Sequence, residues 1–497
     1  MNRRQFLGRT ATLAAFAALP SVWADAKTFA RHLPAGIVSD PGLPLPARQR
    51  VPFGWKLTTV PGRDHAPVVL AWPDLPADAK PTHFRIAIGL DERDDKTLEV
   101  FLPKSERVVG VMALRWVTQF QLHQLPLTPG DVADLRREGL ALRVTLGSEV
   151  EIFTAGRELP DALRPHLLVP GTATPLEEFF ARLHSLAVVQ QFGWIEGCVL
   201  DGLLDLAELP EHASLREMAR RHLALFVQGD RLIYEDQQSR PSDGRIYGIE
   251  GTLPFAALAR LAPQSPLHEL ALAFWQSRLR PTGSIQDGAS MTSEGAYTVG
   301  YPLAEIARVR QSEELLRRAL TQVRVRQARL FDGRVFTRTY SDEGQRGNRN
   351  WSRGIAWQIL GLARTLAVAG ERDDITDLVI HLQRFADWIV ALQRADGLWG
   401  VIVDEPELTA DTAGSAGIAA ALAIGARHGW LGDAARTAAQ RTREGLLPHL
   451  TADGFLGGVS QSNKGGGGLQ RNDYRVIFQM GMGLMAQLIA ALPTSKS

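Results

Sequence analysis

The chain has 497 residues, 45% of them hydrophobic and 22% charged, which excludes wholesale disorder and leaves room for more than one domain with a large buried core. Fifty-five Lys and Arg against 54 Asp and Glu give a formal charge of +1, so there is no basic field of the kind that nucleic-acid binders concentrate on one face. The single cysteine, Cys198, excludes an intrachain disulfide and a cysteine-based metal cluster, and its apolar helical setting reads as an inert buried thiol rather than a catalytic one.

The first 26 residues read as a targeting segment. Arg3-Arg4-Gln5-Phe6-Leu7 is a twin-arginine pattern, an apolar run follows from Ala11 to Leu19, and Ala24-Asp25-Ala26 has the small-x-small form of a cleavage site. The run is too short for a permanent membrane anchor, so the expected protein is periplasmic or secreted and free of the membrane. Export in the folded state raises the question of a cofactor, but there is no HExxH, no dinucleotide fingerprint and no phosphate loop, so no cofactor and no metal is expected.

Residues 27–168 have the pattern of an antiparallel β-sandwich. Val68–Trp72, Phe84–Ile88, Thr97–Leu102, Leu142–Leu146 and Val150–Phe153 alternate or are β-branched, with Pro, Gly and Asp clusters between them. No chemical constellation stands out in this stretch, which reads as a lid or packing partner, or as a sugar-binding module. A Pro- and Thr-bearing linker, 169–175, leads into residues 176–493, where apolar residues recur at helical spacing over 176–189, 214–227, 267–279, 312–330, 356–369, 375–393, 414–428, 434–449 and 478–492. Between them recur Asp201-Gly202, Asp243-Gly244, Asp287-Gly288, Asp332-Gly333, Asp396-Gly397 and Asp453-Gly454, roughly 40 to 65 residues apart, room for one helix pair each. About six pairs would close into an (α/α)6 barrel, a double toroid with a polar pit at one end; an open solenoid would have the same period.

Candidate chemistry lies in the loops. Asp-Gly is a common turn dipeptide, and Asp287 is either that or a working carboxylate on the loop Ser284 to Met291. A second cluster, Asn350-Trp351-Ser352-Arg353-Gly354-Ile355-Ala356-Trp357, favours the working carboxylate. An arginine flanked by indoles suits an acidic sugar, although two core tryptophans with a snorkelling arginine give the same string. Trp194, Trp399, Arg338 and Arg471 complete the candidate substrate-binding set. The run Gly465–Gly468 reads as a flap over the pit or as a surface loop, with Lys464 and Arg471 beside it to help hold a carboxylate.

The Trp-x-Arg-Gly-x-x-Trp run, Asp287-Gly-x-x-Met291, Asp396-Gly397-Leu398-Trp399, Thr412–Ala416 ahead of Gly429-Trp430-Leu431, and Asn472-Asp473 together resemble the unsaturated rhamnogalacturonyl and glucuronyl hydrolases, built on an (α/α)6 barrel. The resemblance covers residues 176–493 and not the strand region. It implies a glycoside hydrolase acting on uronic acid-containing oligosaccharides, with Asp287 as general acid and base, Met291 lining the pit, and Trp351, Arg353 and Trp357 in the sugar site. The implied reaction hydrates the double bond of a terminal 4,5-unsaturated uronic acid. Ile285 stands where relatives often have Trp, the segment after Asp332-Gly333 has no histidine, and Glu250 is the nearest match to an earlier site aspartate. A saturated-uronoside hydrolase of the β-glucuronidase type is the alternative, with Glu250, Glu294 or Glu196 as a second carboxylate. A polysaccharide lyase would need a base such as Tyr297, Tyr301 or Tyr340. A periplasmic sugar-binding protein is the reading without catalysis.

Overall fold

The structure, a computed structural model, describes residues 27–340 and 344–492; the expected signal segment lies outside the described residues. The amino-terminal region holds β1 (Arg31–Pro34), β2 (Gly36–Ser39), β3 (Lys56–Val60), β4 (Val68–Ala71), β5 (His83–Ala87), β6 (Asp95–Phe101), β7 (Val108–Arg115), β8 (Leu122–Pro126), α1 (Pro129–Glu138), β9 (Leu140–Leu146), β10 (Val150–Ala155) and β11 (His166–Val169). One sheet runs β1-β11-β5-β8 and the other β2-β4-β9-β6-β7, with β3 and β10 as a separate ribbon, all antiparallel. Alternate residues of both sheets, among them Leu70, Phe84, Ile86, Leu98, Val100, Leu142 and Val144, meet in one apolar core. The runs read from the sequence are β4, β5, β6, β9 and β10. The remaining strands are short or, like β7 with Val108 and Val111 exposed, lie at an edge where alternation carries less information.

Past the linker the chain is helical. Thr174 and Glu177 form a reciprocal capping box and Pro175 occupies the first turn of α2 (Pro175–Leu183), which fixes where helix begins. There follow α3 (Trp194–Leu206), α4 (Leu215–Ala224), α5 (Pro254–Leu261), α6 (Leu267–Ser277), a π-helical turn (Ala296–Gly300) continuing into α7 (Tyr301–Arg310), α8 (Glu313–Leu330), α9 (Ser352–Ala369), α10 (Thr376–Val390), α11 (Thr412–Arg427), α12 (Asp433–Leu446), α13 (Gly466–Arg471) and α14 (Gln479–Ala491). Helices α3, α5, α7, α9, α11 and α14 are buried nearly all round, whereas α2, α4, α6, α8, α10 and α12 keep a polar face. Each buried helix packs on the next, and α14 packs back on α3, so the ring closes. At that closing seam a Cβ on Gly202 would stand 2.4 Å from the Gly483 carbonyl, and one on Gly483 2.3 Å from that of Cys198; only glycine permits the crossing.

Five of the Asp-Gly pairs are turns, with Gly244, Gly288, Gly333, Gly397 and Gly454 at φ 67°, 60°, 84°, 81° and 85°. Asp201-Gly202 is not: it lies inside α3, where Gly202 serves the seam and Asp201 accepts hydrogen bonds from the hydroxyls of Tyr297 (2.6 Å) and Tyr301 (3.1 Å). The strand and helical regions share a continuous core in which Trp55, Phe120 and Phe153 join Phe179, Phe192 and Phe226. An ionic contact reinforces it, Asp453 Oδ2 accepting from Arg85 Nη1 (2.6 Å) and lying 2.8 Å from His32 Nε2.

Candidate active site

The amino-terminal ends of the buried helices converge on one mouth. Trp194 opens α3, Glu250 precedes α5, Glu294 precedes the π turn, Trp351 caps α9 and Asp411 caps α11. Helix amino termini carry partial positive charge, so this end of the ring favours an anion.

The floor of the mouth is aromatic. Trp194 meets Trp357 edge-on at 5.4 Å, and Trp357 stacks on Tyr297 at 6.0 Å, so side chains from α3, the π turn and α9 close the ring's interior. Beneath the floor Asp201 holds both tyrosine hydroxyls. Burial raises both phenols well above their ordinary value, with the Asp201 charge adding to the effect, and Asp201 itself is pushed by burial to about 6. Both hydroxyls of these lyase candidates are thus taken up by Asp201 beneath the floor. Tyr340 is 49% exposed.

Three carboxyl groups stand above the floor. Asp287 lies on a loop pinned from behind by the fully buried Arg326 of α8, which donates to the carbonyls of Ile285 (2.6 Å) and Thr292 (2.9 Å). Its Oδ2 accepts from the Ile249 amide at 3.0 Å, beside Gly248, while Oδ1 has no hydrogen-bond partner and Arg278 Nε stands 3.8 Å away. Burial raises the Asp287 carboxyl above its usual range; the Ile249 amide and Arg278 oppose this, and the charge of Glu250 adds to it. Glu294 is held well above the carboxylate range by burial and by the adjacent charge of Glu250, to which it is hydrogen-bonded. Glu250 in turn accepts from Gln237 Nε2, and the same amide nitrogen donates to the Tyr247 hydroxyl at 2.8 Å.

Two cations complete the cluster. Lys464, just ahead of α13, donates to Gln237 Oε1; burial lowers its ammonium below the ordinary value, against the pull of Glu250, Asp91 and Glu294. Arg338 lies on a strand, Phe336–Thr339, paired with Arg346–Arg349; its charge acts on Glu294 and its buried Nε has no hydrogen-bond partner. Asp287, Glu250, Glu294, Arg338, Trp194 and Trp357 thus come together as candidates. Gln237 and Tyr247 are not among the expected site residues, because they lie in a stretch without helical or strand period.

Other expected site residues are placed elsewhere. Arg353 is 1% exposed and its guanidinium donates to Asp411 Oδ2 (3.2 Å), Ser460 Oγ (2.7 Å) and the Ser460 and Gln461 carbonyls, so it ties α9 to the segment before α14 instead of facing a sugar. Trp399 is fully buried with its indole donating to Ile389 O (2.9 Å), a core residue. Met291, at the end of the Asp287 loop, is fully buried. Glu196 is fully buried against His222 (2.8 Å) and the Gln190 amide (2.7 Å). Trp351 and Arg471 line a cavity of about 500 Å3 between the Asn348–Trp351 segment, Glu405 and α13, whose lining includes Asn463 and Gly466 on either side of Lys464 but none of the three carboxyl groups. The glycine run is not an irregular loop, for Gly466–Gly468 form the first turn of α13. A cavity of about 540 Å3 at the other end of the ring is lined by five arginines and three carboxylates, with Asp205 paired to both Arg260 and Arg364.

Residues 274–491 match the family model described as Glycosyl Hydrolase Family 88. Among solved structures, a glycoside hydrolase of family 105 from C. acetobutylicum is similar at 17% identity over 63% of this chain and 97% of its own, with a TM-score of 0.54. A possible GH105 member from Salmonella enterica is similar at 18% identity over 60% of this chain and 82% of its own, with a TM-score of 0.52. A possible GH105 member from Klebsiella pneumoniae gives the same figures, 18%, 60%, 82% and 0.52. These are likenesses of fold. No curated protein matches the chain.

Proposed function

We propose a reaction and a site for what is, on the family 88 match, a glycoside hydrolase acting on uronic acid-containing oligosaccharides. The chain is read as an exported protein of two domains, a β-sandwich and an (α/α)6 barrel, with the catalytic pit at the amino-terminal mouth of the helical ring. Asp287 is the general acid and base. The observation that carries this is its carboxyl: half-buried, raised by its surroundings, fixed through Oδ2 by the Ile249 amide, and left with Oδ1 free of any hydrogen bond.

On a terminal 4,5-unsaturated uronic acid, Asp287 protonates C4 of the vinyl ether and the ring oxygen stabilises the cation that forms at C5. Water adds at C5 and gives its proton to the ionised Asp287. The hemiketal then opens and releases the leaving sugar. Arg338, in place of Arg353, holds the uronate carboxylate, and Trp194 and Trp357 meet the apolar face of the sugar ring.

A second reading rests on Glu294. A buried carboxyl raised well above its ordinary value and hydrogen-bonded to a second one is suited to act as the acid on a saturated uronoside, with Asp287 as its partner. Two matched disaccharides, one unsaturated and one saturated, separate the readings. Turnover of the unsaturated sugar, followed by loss of its absorbance and abolished in Asp287→Asn, is the expected result. Turnover of the saturated sugar alone would assign the chemistry to the carboxyl pair.

A further inference from the structure

The strand region does more at the mouth than cover it. Its loop between β5 and β6 reaches into the carboxyl cluster. Asp91, 6% exposed, receives hydrogen bonds from Gln191 Nε2 and Ser239 Oγ (3.3 Å), and its own amide donates to Ser239 Oγ at 2.9 Å. Two residues on, Arg93 donates to the carbonyl of Gln237. Among the described residues no carboxylate lies in ion-pair range of the Arg93 guanidinium, so the carbonyl is its anchor.

We propose that the strand region is a working part of the active site, and that Asp91 and Arg93 are positioning residues that hold Gln237 where it orients Glu250 and Lys464. Gln237 is the hub: its amide nitrogen donates to Glu250 and Tyr247, and its amide oxygen accepts from Lys464. The segment carrying it needs such a grip. Ser239 holds a left-handed backbone at φ 56°, unusual for a serine, and is caught on both sides by the strand region, its hydroxyl by Asp91 and its carbonyl by the Arg50 amide at 2.8 Å. Electrostatics runs along the same path. Lys464 is faced by Glu250 and Glu294 from the helical region and by Arg93 and Asp91 from the strand region. Burial pushes Asp91 to about 6, with Lys464 and Arg93 drawing it down. No family motif reaches this loop, because the resemblance begins beyond it.

The inference rests on the uronoside reaction only for its kinetic arm. In the full chain, Asp91→Asn removes an anion facing Lys464 and Arg93→Gln removes a cation. The pH at which Lys464 is acylated by an amine-reactive ester, mapped by mass spectrometry, is expected to move down in the first variant and up in the second. Mere loosening of the fold would move both the same way, and that result, or no movement, overturns the proposal. On whichever disaccharide the wild type turns over, both variants are expected to lose kcat by about tenfold or more. Unchanged kinetics with an active wild type overturns the positioning role. A wild type inactive on both sugars overturns the proposed reaction instead, and the acylation arm still decides this inference.

Discussion

At the scale of single residues the proposed site is a cluster of three carboxyl groups, Asp287, Glu250 and Glu294. Asp287 and Glu294 are both raised by burial and by the charge of Glu250, so removing that charge acts on both in one direction. Glu250→Gln lowers the pH at which Asp287 gives up its proton. A general acid works only while protonated, so the basic limb of the kcat/KM profile is expected to move to lower pH in this variant. A limb that stays in place, measured on the substrate the wild type turns over, would mean that Glu250 does not act on the proton donor. The sequence could offer Asp287, Glu250 and Glu294 because acids on loops at helix starts are visible in a string of letters. It misplaced Arg353 for a physical reason. An arginine between two tryptophans at a helix start suits a sugar, and it suits equally a buried pairing with Asp411, a residue 58 positions away whose proximity only folding reveals. Arg338 had no such flanking motif; what marks it is its charge acting on Glu294, since a buried Nε without a hydrogen-bond partner is shared by Arg353.

Elements were more legible than residues, since helical period and Asp-Gly turns survive in sequence even where contacts do not. The boundaries of α8, α10 and α14 fall within a few residues of the periodic runs 312–330, 375–393 and 478–492. What period cannot show is why Asp201-Gly202 differs from its five look-alikes. The answer lies on another helix, in Gly483, and it has a measurable consequence. Gly483→Ala sets a Cβ against the Cys198 carbonyl, a backbone atom that cannot swing aside, and is expected to cost about 1–3 kcal/mol or more as α14 and α3 are forced apart. Gly467→Ala in the first turn of α13 meets nothing within 4 Å and is expected to be neutral or mildly stabilising. Denaturant midpoints of the two variants check the contrast; equal values would mean that the seam has slack.

For the whole molecule the question is what makes two regions one body, because the proposed active site depends on their staying together. Apolar packing of Trp55, Phe120 and Phe153 against the helices is non-directional, whereas the contact of Asp453 with Arg85 and His32 fixes orientation. Burial alone would raise the Asp453 carboxyl, but Arg85 and His32 overrule it and hold it far below its usual value. A carboxylate depressed in the folded state contributes stability at pH values above its unfolded value, about 4, and loses that contribution as pH falls below it. Asp453→Ala leaves the guanidinium of Arg85, whose side chain is 1% exposed, without its counterion, a defect expected to cost about 3–5 kcal/mol at pH 7. The gap between wild type and variant is expected to narrow as the pH is taken below about 4, where the unfolded chain takes up the proton that the folded carboxylate does not. Unfolding followed by calorimetry across that range tests both parts. A gap that is small at pH 7 and independent of pH would place the joining of the two regions in the shared apolar core alone, and the orientation of the β5–β6 loop over the pit would then have to come from its own hydrogen bonds to Gln191, Gln237 and Ser239.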